Sequence, residues 1–447
     1  MDYIMFYKSK YFRLSILIII IQQLLLAGST YFIAEAGRSV GLGNPEEGLD
    51  YIVLFFVAAI MSYVISSFNE IVCNRLMNIS WMNYVESSIS QLGVDQSIST
   101  PENKRSIVNW LSTEAMETYR DITEFNIDLF SLYLNIISTL FVFGITIGWK
   151  ITIVMGTSIL ISLVIVTVLS GRISTLASSM QDRKQDTIKN LDKLWDMLFN
   201  GSTSTFVKEK SIFSNSAKRY FSETERYTIL EQIIATAPIL LSIPILVYFT
   251  LNYIGNSPEV IGVLVAVLPR SLQLYGNVHA LSGMNSRVLL IRYRYKNLLE
   301  YVSKIIRKNL STLVKYDEIS VHSYSSNNNI SATELMSRIK SGDINTGRYL
   351  ITGRNGVGKS ALLKMLKMFR EDSIYLCPNV DIIGYGNSGS TGQKRIKEIE
   401  FACGQNISLL LMDEWDANLD NINTRDIDNK IIDISKNTVV VEVRHSN

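Results

Sequence analysis

The sequence predicts a membrane domain of six spanning helices with long cytosolic extensions, all α, fused to a compact α/β P-loop domain. Three observations carry that prediction. Hydrophobic residues make up 47% of the 447 and charged residues only 19%, against roughly 25% charged in an ordinary soluble protein. The apolar excess comes in blocks, the last ending near Leu281. Beyond them, Gly353-Arg354-Asn355-Gly356-Val357-Gly358-Lys359-Ser360 fits the phosphate-loop pattern G-x-x-x-x-G-K-[ST] at every fixed position.

The first apolar block, Ser15 to Ile33, follows Lys8, Lys10 and Arg13. Ala27-Gly28-Ser29 would suit a signal-peptide cleavage site. The length of the block and the further blocks behind it favour an uncleaved first span. Five more spans are expected at Tyr51–Ile65, Leu129–Ile147, Ile151–Leu169, Ile233–Leu251 and about Ile254–Leu281, each near the length that crosses a bilayer. An even number of spans puts both termini on one side, and a phosphate loop belongs in the cytosol. Basic residues agree: Arg75, Lys104, Arg105 and Arg120 lie between spans two and three, and Arg172, Arg183, Lys184, Lys189 and Lys193 between four and five. The opposite loops are an acidic segment (Glu46, Glu47, Asp50), a tight Gly148-Trp149-Lys150 turn and Asn252 to Glu259.

The two cytosolic connections carry apolar residues at helical spacing among charges, so spans two to five are expected to continue as helices below the membrane. Gly93–Glu114 and Asn200–Ser214 are the expected tips of the two hairpins, and Ser286 to Lys308 a further helix leading out of the last span. Arg270 interrupts the sixth block; it either meets cargo in a polar cavity or snorkels to headgroups.

The soluble part, from about Leu310, opens with β-like runs. Tyr349 to Thr352 reads as a buried strand, and Leu362, Leu363, Leu366 and Phe369 follow the loop at helical spacing. Strand, loop, helix is the context that lets Gly353, Gly356 and Gly358 turn successive N–H groups, that of Asn355 included, toward a phosphate at the positive end of a helix. Lys359 would reach the β- and γ-phosphates of ATP, and the Ser360 hydroxyl would sit on Mg²⁺. Downstream, Leu409 to Met412 reads as a strand ending in Asp413 and Glu414; Asp413 would hold Mg²⁺ through water and Glu414 would polarise the attacking water. Ser390-Thr391-Gly392-Gln393 opens a helix over Ile396–Cys403, and its N–H groups and Ser390 are placed to meet a γ-phosphate. Thr438 to Val443 is a last strand, leading to His445.

This set resembles the ATP-binding cassette (ABC) family. Ser390-Thr391-Gly392-Gln393 is similar to the signature L-S-G-G-Q, with Thr391 for its first glycine and Gly389 where its leucine would stand. Ala417-Asn418-Leu419-Asp420 resembles the loop after the catalytic glutamate, and Tyr324, 29 residues before Gly353, stands where the family places an aromatic on adenine. The membrane part resembles the six-helix exporters, whose W-K-x-T turn is matched by Trp149-Lys150-Ile151-Thr152. The resemblance implies domains at 1–309 and 310–447, the latter a compact α/β P-loop ATPase domain with Glu414 as catalytic carboxylate and His445 as γ-phosphate sensor. It further implies a homodimer in which Gly353–Ser360 of one copy and Ser390–Gln393 of another share each ATP.

There are departures. Ser360 and Ser390 are only 30 positions apart with no glutamine between them, so the family's helical subdomain and glutamine loop have no room, and Asn379 is a poor substitute. A relic that binds nucleotide without turnover is one alternative, as a nucleotide-gated channel or sensor; a lipid flippase is another. The types at Lys359, Ser360, Gln393, Asp413, Glu414 and His445 are all chemically competent, which favours hydrolysis and efflux. The expected setting is the lipid bilayer of a cell membrane, the bacterial inner membrane, with both termini cytosolic and a peptide as the favoured cargo. A net charge of +2 with no basic stripe argues against a nucleic-acid partner. Cys73, Cys377 and Cys403 lack metal-ligand spacing and read as free thiols.

Overall fold

The computed structural model describes residues 7–93, 95–253, 258–378, 391–417 and 419–444. Two compact units emerge. One combines Met1–Val85 with Trp110–Tyr301, the other Glu86–Asn109 with Val302–Asn447.

The first unit is helical. Its helices are α1 (Lys10–Gly41), most of α2 (Pro45–Leu92), α4 (Ala115–Thr146), α5 (Trp149–Asn200), α6 (Thr203–Tyr253) and most of α7 (Pro258–Lys304); α3 (Pro101–Asn109) belongs to the second unit, and a π-helical turn over Trp110–Glu114 joins it to α4. Among the described residues, four helical stretches, against six expected spans, are long and apolar enough to cross a membrane: Lys10–Gly41, Pro45–Leu92, Pro101–Thr146 and Pro258–Met284. Among the described residues, α5 adds a shorter apolar stretch, Trp149–Ile161. The predicted spans Ile151–Leu169 and Ile233–Leu251 lie within α5 and α6, which run on as single helices. Phe56, Val57, Ile60, Met61, Val64 and Phe68 of α2 are all exposed. A face of that kind is incompatible with water and suits hydrocarbon.

Inside, Phe143, Met155, Ile159, Val267, Leu274 and Val278 share one core. Where α1 meets α7, a Cβ on Gly37 would lie 2.5 Å from the Gly262 carbonyl oxygen. Only glycines let the two backbones touch there. Deeper along the same contact, Gln23 accepts from Asn135 Nδ2 at 2.7 Å and donates to Ser131 Oγ at 3.1 Å, while Asn277 Nδ2 donates to Asn135 Oδ1 at 2.5 Å. The ladder joins α1, α4 and α7 and satisfies every buried amide it uses.

Two expectations need correcting. The second tip is not a segment of Asn200–Ser214 but a two-residue turn, Gly201-Ser202, because Ser202 Oγ accepts from Thr205 N at 3.3 Å and starts α6 at once. No separate helix opens at Ser286, since α7 runs unbroken to Lys304.

The second unit holds a six-stranded sheet: β1 (Ser320–Ser323), β2 (Asn328–Ser331), β3 (Gly347–Thr352), β4 (Ser373–Leu376), β5 (Leu409–Asp413) and β6 (Val439–Val443), in the order β2-β1-β3-β6-β5-β4. β1 is antiparallel to both its neighbours, and β3, β6, β5 and β4 run parallel. Helices α8 (Ala332–Ser341) and α9 (Lys359–Lys367) cover one face through Leu335, Ile339, Leu362 and Leu366; α10 (Thr391–Cys403) and α11 (Asn421–Ser435) cover the other through Ile399, Ile427 and Ile431. Covered on both faces, β5 and β6 are buried at every position, which is why they read as apolar runs broken only by Glu442 and the terminal Asp413.

The same unit contains the first tip. Asp95 caps a 3₁₀ turn over Gln96–Ile98 by accepting from Ser97 N at 3.0 Å and pairs with Arg307 Nε at 3.0 Å. The Ser97 hydroxyl, aided by Arg307 against the opposing effect of burial, holds the Asp95 carboxyl below its ordinary range. Lys308 N donates to Ser97 O at 3.2 Å, Asn103 Nδ2 to Ile306 O at 3.1 Å, and Lys364 Nζ, on α9, to Ser99 O at 2.7 Å.

Candidate functional site

Thr352 ends β3, and the chain passes through Gly353–Gly358 directly into α9, anchored by Leu362, Leu363 and Leu366, all fully buried. Gly358 is the N-cap at φ 96°, and a Cβ there would lie 2.3 Å from Leu313 O and 2.8 Å from Val314 Cα. Backbone sign and close approach both demand glycine. Val357 plugs the loop from below at 2% exposure, and its carbonyl accepts from Lys315 N at 2.9 Å. Arg354, Asn355 and Ser360 are exposed along the outer side. Lys359 Nζ donates to Gly353 O at 2.7 Å and Arg354 O at 3.3 Å, so the ammonium curls across the loop.

Parallel register brings the acids to the same edge. Ile351 of β3 and Asp413 of β5 both stand opposite Val443 of β6. At about 4.8 Å per strand, the loop and the acids are separated by roughly 10 Å across β6. Ligands of parallel α/β sheets bind at this carboxyl edge. Asp413 is 5% exposed and accepts from Tyr375 Oη at 2.9 Å. Burial, reinforced by the Asp413 charge, drives the Tyr375 hydroxyl pKa far above its ordinary value, so it stays a donor. Glu414 follows at φ 45°.

Arg395 ties α10 to the same edge, donating to Asp413 O at 3.2 Å and Cys377 O at 3.1 Å while pairing with Glu398 at 3.2 Å. Gly392 and Gln393 stand in the first turn of α10, within three residues of Arg395. Ser390, Gly389, Asn379, Asn418 and His445 lie outside the described residues. Arg444, one residue before His445, is described and leaves β6 at the same carboxyl edge.

Tyr324 is not brought to the loop. Antiparallel pairing sets Ser320 opposite Thr352 and Ser323 opposite Tyr349, so Tyr324 lies at the amino end of β3. That is about four strand residues, roughly 13 Å, from the loop. Its N–H donates to Arg348 O at 3.0 Å and the Arg348 guanidinium covers its ring at 4.9 Å. An adenine-stacking role has no geometric support there, and the spacing of 29 residues was a misleading signal because β1 runs away from the loop.

The sequence reading missed Tyr375, Arg395 and a buried ionic group behind the acids, in which Arg348 chelates Glu442 at 2.7 and 3.1 Å. Glu442 inside an all-apolar run was the one available signal. Among the described residues, no three His, Cys, Asp or Glu side chains converge as a metal site. Ser360 and Asp413 nevertheless fit a magnesium ion carried by phosphates: one is an exposed hydroxyl at a helix start, the other a carboxylate at the end of β5, across β6 from the loop.

Membrane-length helices joined to this doubly wound sheet define the fold of ABC exporters. The chain is similar to a solved structure described as a bacterial Atm1-family ABC exporter with ATP bound, at 13% identity and a TM-score of 0.59, over 98% of this chain and 91% of that one. No protein-family profile matches the sequence, and no curated protein does.

Proposed function

We propose that the chain is an ATP-driven efflux half-transporter that works as a homodimer in a cell membrane, with both termini cytosolic. The observation that carries this reading is the shared edge of β3, β6 and β5, where a phosphate loop and two acids flank one strand in a chain with membrane-length helices. ATP is the substrate. Its phosphates sit on the N–H groups of Gly353–Ser360, and Lys359 exchanges the Gly353 carbonyl for phosphate oxygens. Ser360 and Asp413 would hold a magnesium ion arriving with ATP, which would offset phosphate charge. Tyr375 keeps Asp413 oriented by donating to one of its oxygens. Glu414 takes the proton of the attacking water as its oxygen bonds to the γ-phosphorus and the bond to ADP breaks, giving ADP and phosphate. Ser390, Gly392 and Gln393 of a second copy complete the site, with His445 on the γ-phosphate.

Cargo passes through the helical unit. A peptide or another amphipathic small molecule is the class favoured here. ATP turnover by the purified protein in lipid tests the reading. Wild type should hydrolyse ATP, and Glu414→Gln should reduce turnover at least about 100-fold while ATP still binds. Binding without turnover in wild type would identify a nucleotide sensor or gated channel instead.

A further inference from the structure

Behind the acids lies a group of charges that the proposed reaction does not use. Glu442 occupies the middle of β6, a central strand, at 0% exposure, on the face otherwise lined by Val440, Leu410 and Met412. Arg348 chelates it from β3. Asp428 of α11 bonds both Arg348 and Arg444, and Arg444 Nε approaches Glu442 Oε2 at 3.4 Å. Two cations and two carboxylates balance. An apolar residue of similar size would serve stability as well or better. The charge at this position therefore calls for a geometric reason.

That reason adjoins it. Glu414 adopts φ 45°, a conformation that costs an L residue energy and persists only when its surroundings enforce it. Both sides of the bend are pinned to the end of β6. Glu414 N donates to Val443 O at 2.9 Å, and Trp415, fully buried among Met412, Ile399 and Ile431, donates its indole N–H to Glu442 Oε2 at 2.8 Å. The Arg444 guanidinium lies 5.2 Å from the centre of the Trp415 ring.

We propose that Trp415 and Glu442 are positioning residues: their hydrogen bond clamps the left-handed bend that sets Glu414 at the edge of the sheet, and Arg348 and Arg444 hold the Glu442 carboxylate in place for it. The clamp thereby ties the bend to the end of β6. This inference rests on the hydrolysis reading above.

Three variants of the full-length protein in lipid test it, each with ATP binding measured alongside turnover. Trp415→Phe keeps an aromatic ring in the core and removes only the N–H donor with part of the indole. Glu442→Leu and Glu442→Gln remove the same charge, but only Gln keeps an oxygen for the indole. Turnover should fall about tenfold or more in Trp415→Phe and Glu442→Leu, with the ATP KM within about twofold of wild type, whereas Glu442→Gln should retain most of its kcat. A purely electrostatic or packing role would lower both Glu442 variants alike, and that result overturns the clamp. Wild-type kcat in Trp415→Phe, or a loss that merely follows lost ATP binding, overturns it too. If wild type itself fails to hydrolyse ATP, the hydrolysis reading falls and takes the clamp with it; if Glu414→Gln loses turnover but Trp415→Phe and Glu442→Leu keep it, the clamp alone falls.

Discussion

At the scale of single residues, Arg270 is the clearest case of a side chain whose position changes its meaning. Sequence left two readings open, cargo contact or snorkelling. Arg270 lies on the face of α7 marked by Val263, Val267, Leu274 and Val278, all buried, near the middle of the apolar stretch Pro258–Met284. Its Nη2 donates to Ser29 Oγ of α1 at 2.7 Å and its Nη1 to Gln273 Oε1 at 2.5 Å. Both partners are neutral, and among the described residues no carboxylate pairs with it. That contact turns the guanidinium toward α1, which favours the polar-cavity reading. An arginine at a helix centre costs about 2.5–3.5 kcal/mol on insertion scales. Intramembrane hydrogen bonds return only about 0.6 kcal/mol each. Arg270→Met should therefore raise stability by about 1–2 kcal/mol, seen as a higher thermal midpoint in lipid, while transport declines. A lower midpoint would make Arg270 a structural residue and end its cargo role.

At the scale of elements, the strand, glycine loop and helix from Gly347 to Lys367 were legible: glycine spacing, an apolar run before the loop and helical leucines after it are all local signals. β5 and β6 were legible as well, because strands buried on both faces are mostly apolar, Glu442 being the exception inside β6. The first tip was foreseen as Gly93–Glu114, but its seat was not, since Lys364 and Ser99 are 265 positions apart. The contact answers a question the short Ser360–Ser390 gap raised. The tip is held on α9, one helical turn from Ser360. Burial pushes the Lys364 pKa down, with the Asp413 charge among the terms opposing it. The tip continues covalently into α2 on one side and through α3 towards α4 on the other. Nucleotide at the loop should stiffen this seat. Backbone hydrogen exchange in 95–109 should slow on adding ATP to wild type. Lys364→Met should abolish that slowing while ATP still binds. Unchanged slowing in the variant would show that the signal travels elsewhere.

At the scale of the whole molecule, the argument turns on what α5 and α6 leave uncovered. α5 has 52 residues, about 78 Å at 1.5 Å each, whereas a bilayer with its headgroups spans about 40–45 Å. Ile188, Leu191, Trp195, Leu198 and Phe199 therefore lie beyond the membrane if the turn at Gly148 marks its outer side. They recur at three- and four-residue intervals on one face of α5, with Trp195 63% and Phe199 68% exposed. The hairpin binds itself by other contacts, Lys193 with Glu209 at 2.8 Å and Thr187 with Ser216 at 3.1 Å. An aromatic stripe in water at this density marks a protein interface. A second copy is the partner that the ATP site proposed above, shared between two chains, would also require. Trp195→Ser together with Phe199→Ser should convert the purified protein from a dimer to a monomer by light scattering in detergent. ATP turnover should fall with the dimer fraction, because each loop would lose the Ser390–Gln393 turn of its neighbour. Full turnover from a monomer would mean that one chain holds a complete site, and the half-transporter reading would have to give way.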